Sequence, residues 1–383
     1  MVSKVLNIFN RSKDNQSAPN DSLELATQRQ LIWRRFKRHR LGFTASIVVA
    51  LFYFVVLFAD FLSTAPPVDY AAKRGYMPPQ GIHFFKDGHF MSVCDVSGER
   101  NMDTFLMEFE ADCDNSQPIS FFAKGYEYKL WGLIKTDRHL LGMTDETKDP
   151  NAWIHLFGTD KQGRDVFSRT MHATRVSLTI GLVGVALSII FGIFLGAISG
   201  YYGGLIDSLI QRFIEIIRSV PTIPLYMGLS SAFPDDWTIN QVYFMITVII
   251  SLFAWTDLAR VIRGRFLALK DEDFVTAARL NGAKTMRVIF VHMLPSFYSH
   301  IIAQASLSLP LMIVTETSLS FLGLGLRPPA VSYGVLLKDA QNVQSVANMP
   351  WLFIPAIAVI VVILALNFMG DGIRDAADPY QEV

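Results

Sequence analysis

The sequence predicts an all-α integral membrane protein of six transmembrane helices, with one external insert that contains some β structure. Three observations predict it. Apolar residues make up 51% of the 383 positions and charged residues only 18%, where a soluble domain carries about a quarter charged residues. The apolar residues gather into six stretches, 42–63, 177–199, 207–232, 240–262, 297–319 and 351–370, each near the ~20 residues that cross a ~30 Å hydrocarbon core. Between the first two lies a polar, turn-rich segment, 64–156, which holds both cysteines. The formal net charge is zero, so nothing suggests nucleic acid as a partner.

The N-terminal segment 1–41 ends in Arg34, Arg35, Lys37, Arg38 and Arg40, and lysine and arginine beside a span mark its cytosolic end. Roughly 40 polar residues precede an apolar run longer than a signal-peptide core, so no cleavable signal is expected. The loop after the fourth span carries Arg263, Arg265, Lys270, Arg279, Lys284 and Arg287, whereas 233–239 has no basic residue. Six spans then put both termini, the 263–295 loop and the 371–383 tail in the cytosol. The insert 64–156 lies outside.

In the insert, Cys94 and Cys113 are expected to form a disulfide, which an oxidising compartment lets persist. Ile119–Trp131, aromatic and roughly alternating, suggests a β-hairpin. His83, His89, His139 and His155 lack a ligand-like spacing, so no metal site is expected.

In the core, 157–370, Gly192, Gly196 and Gly200 repeat at a spacing that lets helices cross closely in lipid. Gly203 and Gly204 predict a tight turn with Asp207 as the next helix cap. Arg212, Glu215 and Arg218 stand three apart, either a solvated helix end or a gate-side ion cluster. Pro221 and Pro224 are expected to kink or break the third span. The fifth span is interrupted by Gln304, Ser306, Ser308, Thr315 and Glu316. Polar groups are costly in lipid, so it faces protein or an aqueous path. Gln304, Ser308 and Glu316 are the candidates to line that path; Glu316 alternatively bonds backbone freed near Pro310.

Asp273–Pro295 carries most of the functional signal. A short helix with Ala277 and Ala278 ends at Gly282, which suits a left-handed helix terminus. Then Met286, Ile289, Phe290, Met293 and Leu294 fall on one helical face, and Pro295 suits the first turn of the next span. By pattern this is either a coupling device for another subunit or an amphipathic linker resting on the membrane.

The segment resembles the EAA loop of ABC-transporter permeases, with Ala277, Ala278, Gly282, Leu294 and Pro295 in register. Thr276 stands where that pattern has glutamate, and His292 where it has an aliphatic residue. Gly158–Arg169 (GTDKQGRDVFSR), Gly200–Gly204 (GYYGG), Ser320–Pro329 (SFLGLGLRPP) and Gly370–Pro379 (GDGIRDAADP) resemble the oligopeptide/dipeptide/nickel permease family, in particular its C-type second permease. The resemblance implies the type I importer permease fold in a bacterial inner membrane. It also implies a second homologous permease, two ABC ATPase subunits and a periplasmic substrate-binding protein as partners. Thr276, Ala277, Ala278, Gly282, Leu294 and Pro295 would then couple to the ATPase. The implied cargo is an oligopeptide or a similar oligomer; the long insert also resembles members that carry oligosaccharides, such as chito- or cello-oligosaccharides.

No phosphate-loop, HExxH or GxSxG pattern occurs. A non-catalytic subunit with no cofactor is therefore expected, ATP hydrolysis falling to its partners. The alternative is a channel or secondary carrier working without ATPases, a class that usually shows inverted repeats; no internal repeat stands out here.

Overall fold

The computed structural model describes residues 28–86, 89–102, 107–144, 153–234, 236–342 and 347–377. The rest of the 1–41 segment and the tail beyond Ala377 lie outside the described residues. A short basic helix α1 (Gln28–Arg38) leads into the first span, α2 (Arg40–Leu62). His39 caps α2, its Nδ1 accepting Gly42 N–H at 2.9 Å, which satisfies one of the amides that a helix start leaves open.

The insert follows, with strands β1 (Ile82–Lys86), β2 (His89–Arg100), β3 (Met107–Phe121), β4 (Lys124–Leu130), β5 (Ile134–Arg138) and β6 (Leu141–Met143). β1, β2, β3 and β6 form one antiparallel sheet and β4–β5 a separate hairpin. Ile119–Trp131 is thus not itself a hairpin. β3 pairs with β6, the chain turns at Phe122 (φ 56°), and β4 takes the next segment as its partner. Cys94 and Cys113 are joined, stapling β2 to β3. Closing a loop of this length contributes about 3 kcal/mol in the chain-entropy model. In intact membranes neither cysteine should alkylate until a reductant is added; ready labelling without reductant would refute the bond.

The core begins with α3 (Val166–Tyr202), capped by Asp165, whose carboxylate accepts Ser168 N–H at 2.6 Å. Next come α4 (Gly204–Ser219), α5 (Thr222–Ser231), α6 (Ile239–Leu269), α7 (Asp273–Leu280), α8 (Thr285–Phe321), α9 (Tyr333–Ala340) and α10 (Ile354–Ala377). Five helical runs among the described residues are long and apolar enough to span unbroken: α2, α3, α6, α8 and Pro350–Ala377. The expected third span, 207–232, is instead two helices. Pro221 has no N–H for a helix ladder and pushes the preceding residue out of helical geometry, and Val220 is extended (φ −85°, ψ 127°).

That segment still has to cross the bilayer. Gly184 packs on Ser251, Gly192 on Leu258, Gly196 on Ala259 and Gly200 on Arg263 and Phe266. The numbers rise together, so α3 and α6 run parallel, and the chain between them must return across the full thickness. The glycine spacing therefore serves helix packing. A Cβ on Gly196 would sit 2.6 Å from Ala259 O, and one on Gly200 2.7 Å from Arg263 O. α8 runs antiparallel to α3, with Ser177 against Glu316 and Gly181 against Ile313. Gly42 of α2 packs on Gly372 of α10, bringing both ends of the bundle to one face.

Gly203 and Gly204 turn at positive φ (63° and 55°), as expected. Asp207 is not the cap; Gly203 holds that place. Asp207 lies in the first turn and takes both Nε and Nη2 of Arg263 at 2.6 Å, tying α4 to α6. Arg212 pairs with Glu215 at 2.9 Å on an exposed surface, while Arg218 reaches Asp257 instead. The solvated helix end is the better description of Arg212 and Glu215.

Candidate functional site

The helix–Gly–helix element sits at the end of the bundle opposite the β-sheet. α7 closes in a Schellman motif: Ala283 N–H donates to Ala278 O (3.1 Å) and Gly282 N–H to Arg279 O (2.9 Å). Gly282 holds φ 77°, with nothing within reach of a Cβ. Only the backbone angle therefore demands glycine there.

Beyond it, Thr285–Arg287 is α-helical, Val288–Met293 a π turn and Leu294–Phe297 a 3₁₀ turn containing Pro295. The wide π turn changes which residues face inward. Val288, Ile289, Met293, Leu294 and Phe297 are buried together with Val275, against Ala197, Leu258, Ile262 and Phe266 of α3 and α6. Met286 and Phe290, expected on that face, are exposed instead. The element thus has two sides. Its underside is part of the bundle core, and its outer side presents Phe274, Leu280, Met286, Phe290 and Val291 to solvent, Leu280 with 84% exposure. Thr276, Ala277, Gly282 and Pro295 are exposed, Ala278 is half-buried and Leu294 buried. Arg279 stacks on Tyr201 at 5.0 Å.

The other polar candidates do not converge on one surface. Glu316 is fully enclosed, accepting Ser177 Oγ (2.8 Å) and Ser320 Oγ (2.8 Å). Gln304 and Ser308 are half-buried, the Ser308 hydroxyl donating to Gln304 O at 2.9 Å. Glu316 therefore holds α3 to α8 in this conformation rather than facing an open path.

At the sheet end, the Gly158–Arg169 motif forms a knot that its sequence did not reveal. Asp160 accepts Gln162 N–H (2.8 Å), Arg164 N–H (3.0 Å), Arg164 Nε (2.7 Å) and Arg169 Nη1. Arg164 and Arg169 both reach Asp339 of α9, at 3.1 and 3.4 Å. Asp160, Arg164 and Arg169 are each at most 5% exposed. Burial pushes the Asp339 carboxyl up from its ordinary range, and the charges of Arg169 and Arg164 oppose that shift. Trp351 Nε1 donates to Thr159 O, and Thr64 and Ala65 amides donate to Ser168 Oγ at 3.0 Å. Gly163 fits because a Cβ would overlap Ala71 O. Charge spacing alone gave no sign of Asp339, which lies far along the chain.

His83, Cys94 and Cys113 place ligand-type atoms within 4.8 Å of one another. Both sulfurs are bonded to each other, and a metal ligand needs thiolate, so the residues as they stand do not fit a metal.

Comparison with known proteins decides the family. Residues 192–382 match the model of the binding-protein-dependent transport system inner membrane component, and 27–79 that of the N-terminal transmembrane domain of oligopeptide transport permease C. The chain is 41% identical over 260 residues, 68% of its length and 78% of the relative's, to the oligopeptide transport system permease protein OppC of Haemophilus influenzae. It belongs to the oligopeptide/dipeptide ABC permease family. The permease is also 31% identical to the dipeptide transport system permease protein DppC of Lactococcus lactis, over 91% of this chain and 89% of that one. Among solved structures it is similar to the MetNI methionine ABC transporter in an inward-facing form, at TM-score 0.41 and 16% identity, over 53% of this chain and 93% of that one. The permease is a multi-pass membrane protein, and its relatives are transporter components.

Proposed function

We propose that this permease forms half of the translocation path of an ATP-driven, binding-protein-dependent importer of oligopeptides. Its assembly comprises a second homologous permease, two ABC ATPases and a periplasmic binding protein. The observation that carries the coupling role is the two-sided element at 273–297. An apolar outer surface is available to a partner, and an underside rooted in α3 and α6 carries a push inward. Nucleotide-driven closure of the ATPases would bias two arrangements of the bundle through differential contacts at Thr276, Ala277, Ala278 and Gly282. Leu294 and Pro295 would pass the movement into the rest of α8, Tyr298–Phe321.

The basic residues of α1 support a cytosolic placement of this face. α1, Pro295, Tyr298 and Met369 line one groove there, and arginine and lysine favour that side of a membrane. Peptide is favoured over chito- or cello-oligosaccharide as cargo. The match to a relative named for dipeptide transport runs over nearly the whole chain, so the long insert is no argument for sugars.

Co-purification from native membranes, followed by reconstitution with labelled peptide, tests the reading. ATPase subunits should accompany the permease, and uptake should require ATP and be competed by peptides, not by cello-oligosaccharides. Uptake by the permease without ATPases would instead identify a secondary carrier.

A further inference from the structure

The β4–β5 hairpin has no role in coupling or in the sheet, and its chemistry is layered along its length. At the tip, Leu130 pairs with Ile134 around the turn Trp131–Gly132–Leu133. Leu133 is 83% exposed, and Trp131 and Ile134 are more than half exposed. One rung back, Lys129 lies directly opposite Lys135, both exposed. The next rung is Tyr128 opposite Thr136.

The hairpin's position against the bundle is fixed. His139 is buried at its base, with Nδ1 at 3.0 Å from Asp60 O and Nε2 at 3.0 Å from Tyr126 O. Gly125 makes room for that ring, since a Cβ would lie 2.5 Å from it. Leu140 N–H donates to Phe61 O at 2.7 Å. From this anchor the hairpin runs back along α2. Trp131 Nε1 donates to Leu57 O (3.0 Å), and its ring lies 5.8 Å from that of Phe58. Leu57 is five residues before the end of α2 and directly before the kink at Phe58 (φ −115°, ψ 22°), so the tip sits alongside the last turns of the span, short of its outer end. Leu51, Phe54 and Leu57 of α2 are themselves half exposed or more, as lipid-facing residues are.

We infer that the β4–β5 tip inserts into the outer leaflet of the bilayer, with Leu130, Trp131, Leu133 and Ile134 at the acyl boundary and Lys129 and Lys135 on lipid phosphates. Tryptophan is enriched at that depth, where its large apolar ring can sit at the acyl boundary, and the Trp131 N–H is already satisfied there by Leu57 O. Two lysines directly opposite on a ladder repel, and neither has an ion-pair partner among the described residues. A shared phosphate layer removes that penalty and matches their height above the tip. Lysine stems along apolar surface with ammonium groups in the headgroups are the usual arrangement at such a boundary. The insert is thereby held at a set height and tilt on the membrane, independently of the ATPase end.

The test is a nitroxide at Leu133→Cys in the full-length permease reconstituted into phosphatidylglycerol-containing vesicles, with Glu127→Cys, farther up the hairpin, as reference. The native cysteines are bonded and do not take the label. At position 133 collisions with oxygen should exceed those with a water-soluble nickel chelate severalfold, with the order reversed at 127. Adding Lys129→Glu and Lys135→Glu should move the 133 label toward the chelate. Equal chelate access at 133 and 127 would overturn the insertion. Protection of 133 from both reagents would overturn it too, since the tip would then rest against protein.

Discussion

Gly282→Pro should abolish ATP-driven uptake while leaving membrane insertion and the insert disulfide intact. Gly282 sits at φ 77° and donates its N–H to Arg279 O. Proline is locked near φ −65° and has no N–H. The substitution therefore removes both the left-handed turn and one of the two Schellman bonds, and α7 loses its fixed angle to the helix that follows. The rest of the bundle feels little, because open space surrounds the position. A graded series separates this from general damage. Gly282→Asn, which tolerates left-handed backbone, should retain most uptake. Gly282→Ala, at a strain of ~1–2 kcal/mol, should fall between the two. Proline uptake equal to wild type would remove the coupling role from the element.

The second large effect is expected at the opposite end. Asp160→Ala leaves the guanidinium groups of Arg164 and Arg169 together, nearly solvent-free, with only the half-buried Asp339 to share. Removing one partner of a buried ion cluster typically costs about 3–5 kcal/mol, because the remaining charge stays uncompensated. The variant should lose several degrees of thermal stability in detergent, and its 158–165 loop should become protease-sensitive. Asp339→Asn should cost less, since that carboxyl is 31% exposed and water can replace part of its interaction. If Asp160→Ala melts with the wild type, the cluster does not hold the loop to α9.

How much was legible follows from what is local. The unbroken spans, the glycine stripe on α3 and the Gly282 terminus each follow from one stretch of chain and its own periodicity or backbone demand. The break at Val220 was legible as a proline effect, though not its consequence. Only the parallel packing of α3 and α6 shows that the broken segment still spans the membrane.

Registers and partners were not legible in the same way. A period of 3.6 residues puts Met286 and Phe290 on the 286–294 apolar face; the π turn at 288–293 departs from that period, and both side chains are exposed. Asp207 looked like a cap because it follows two glycines, and its actual partner Arg263 lies 56 residues away. Glu316 was a path candidate because a carboxylate in a span is costly; the hydroxyls of Ser177 and Ser320 that satisfy it come from one distant helix and from its own next turn.

By itself the sequence determined the membrane class, the insert and the place of the helix–Gly–helix element, because hydropathy, helix termini and chain breaks are written in neighbouring residues. The tertiary structure alone decided which polar groups meet, which face of the 273–297 element is exposed and where the β4–β5 tip lies along α2. Those depend on distances between segments far apart in the chain, which no local pattern encodes.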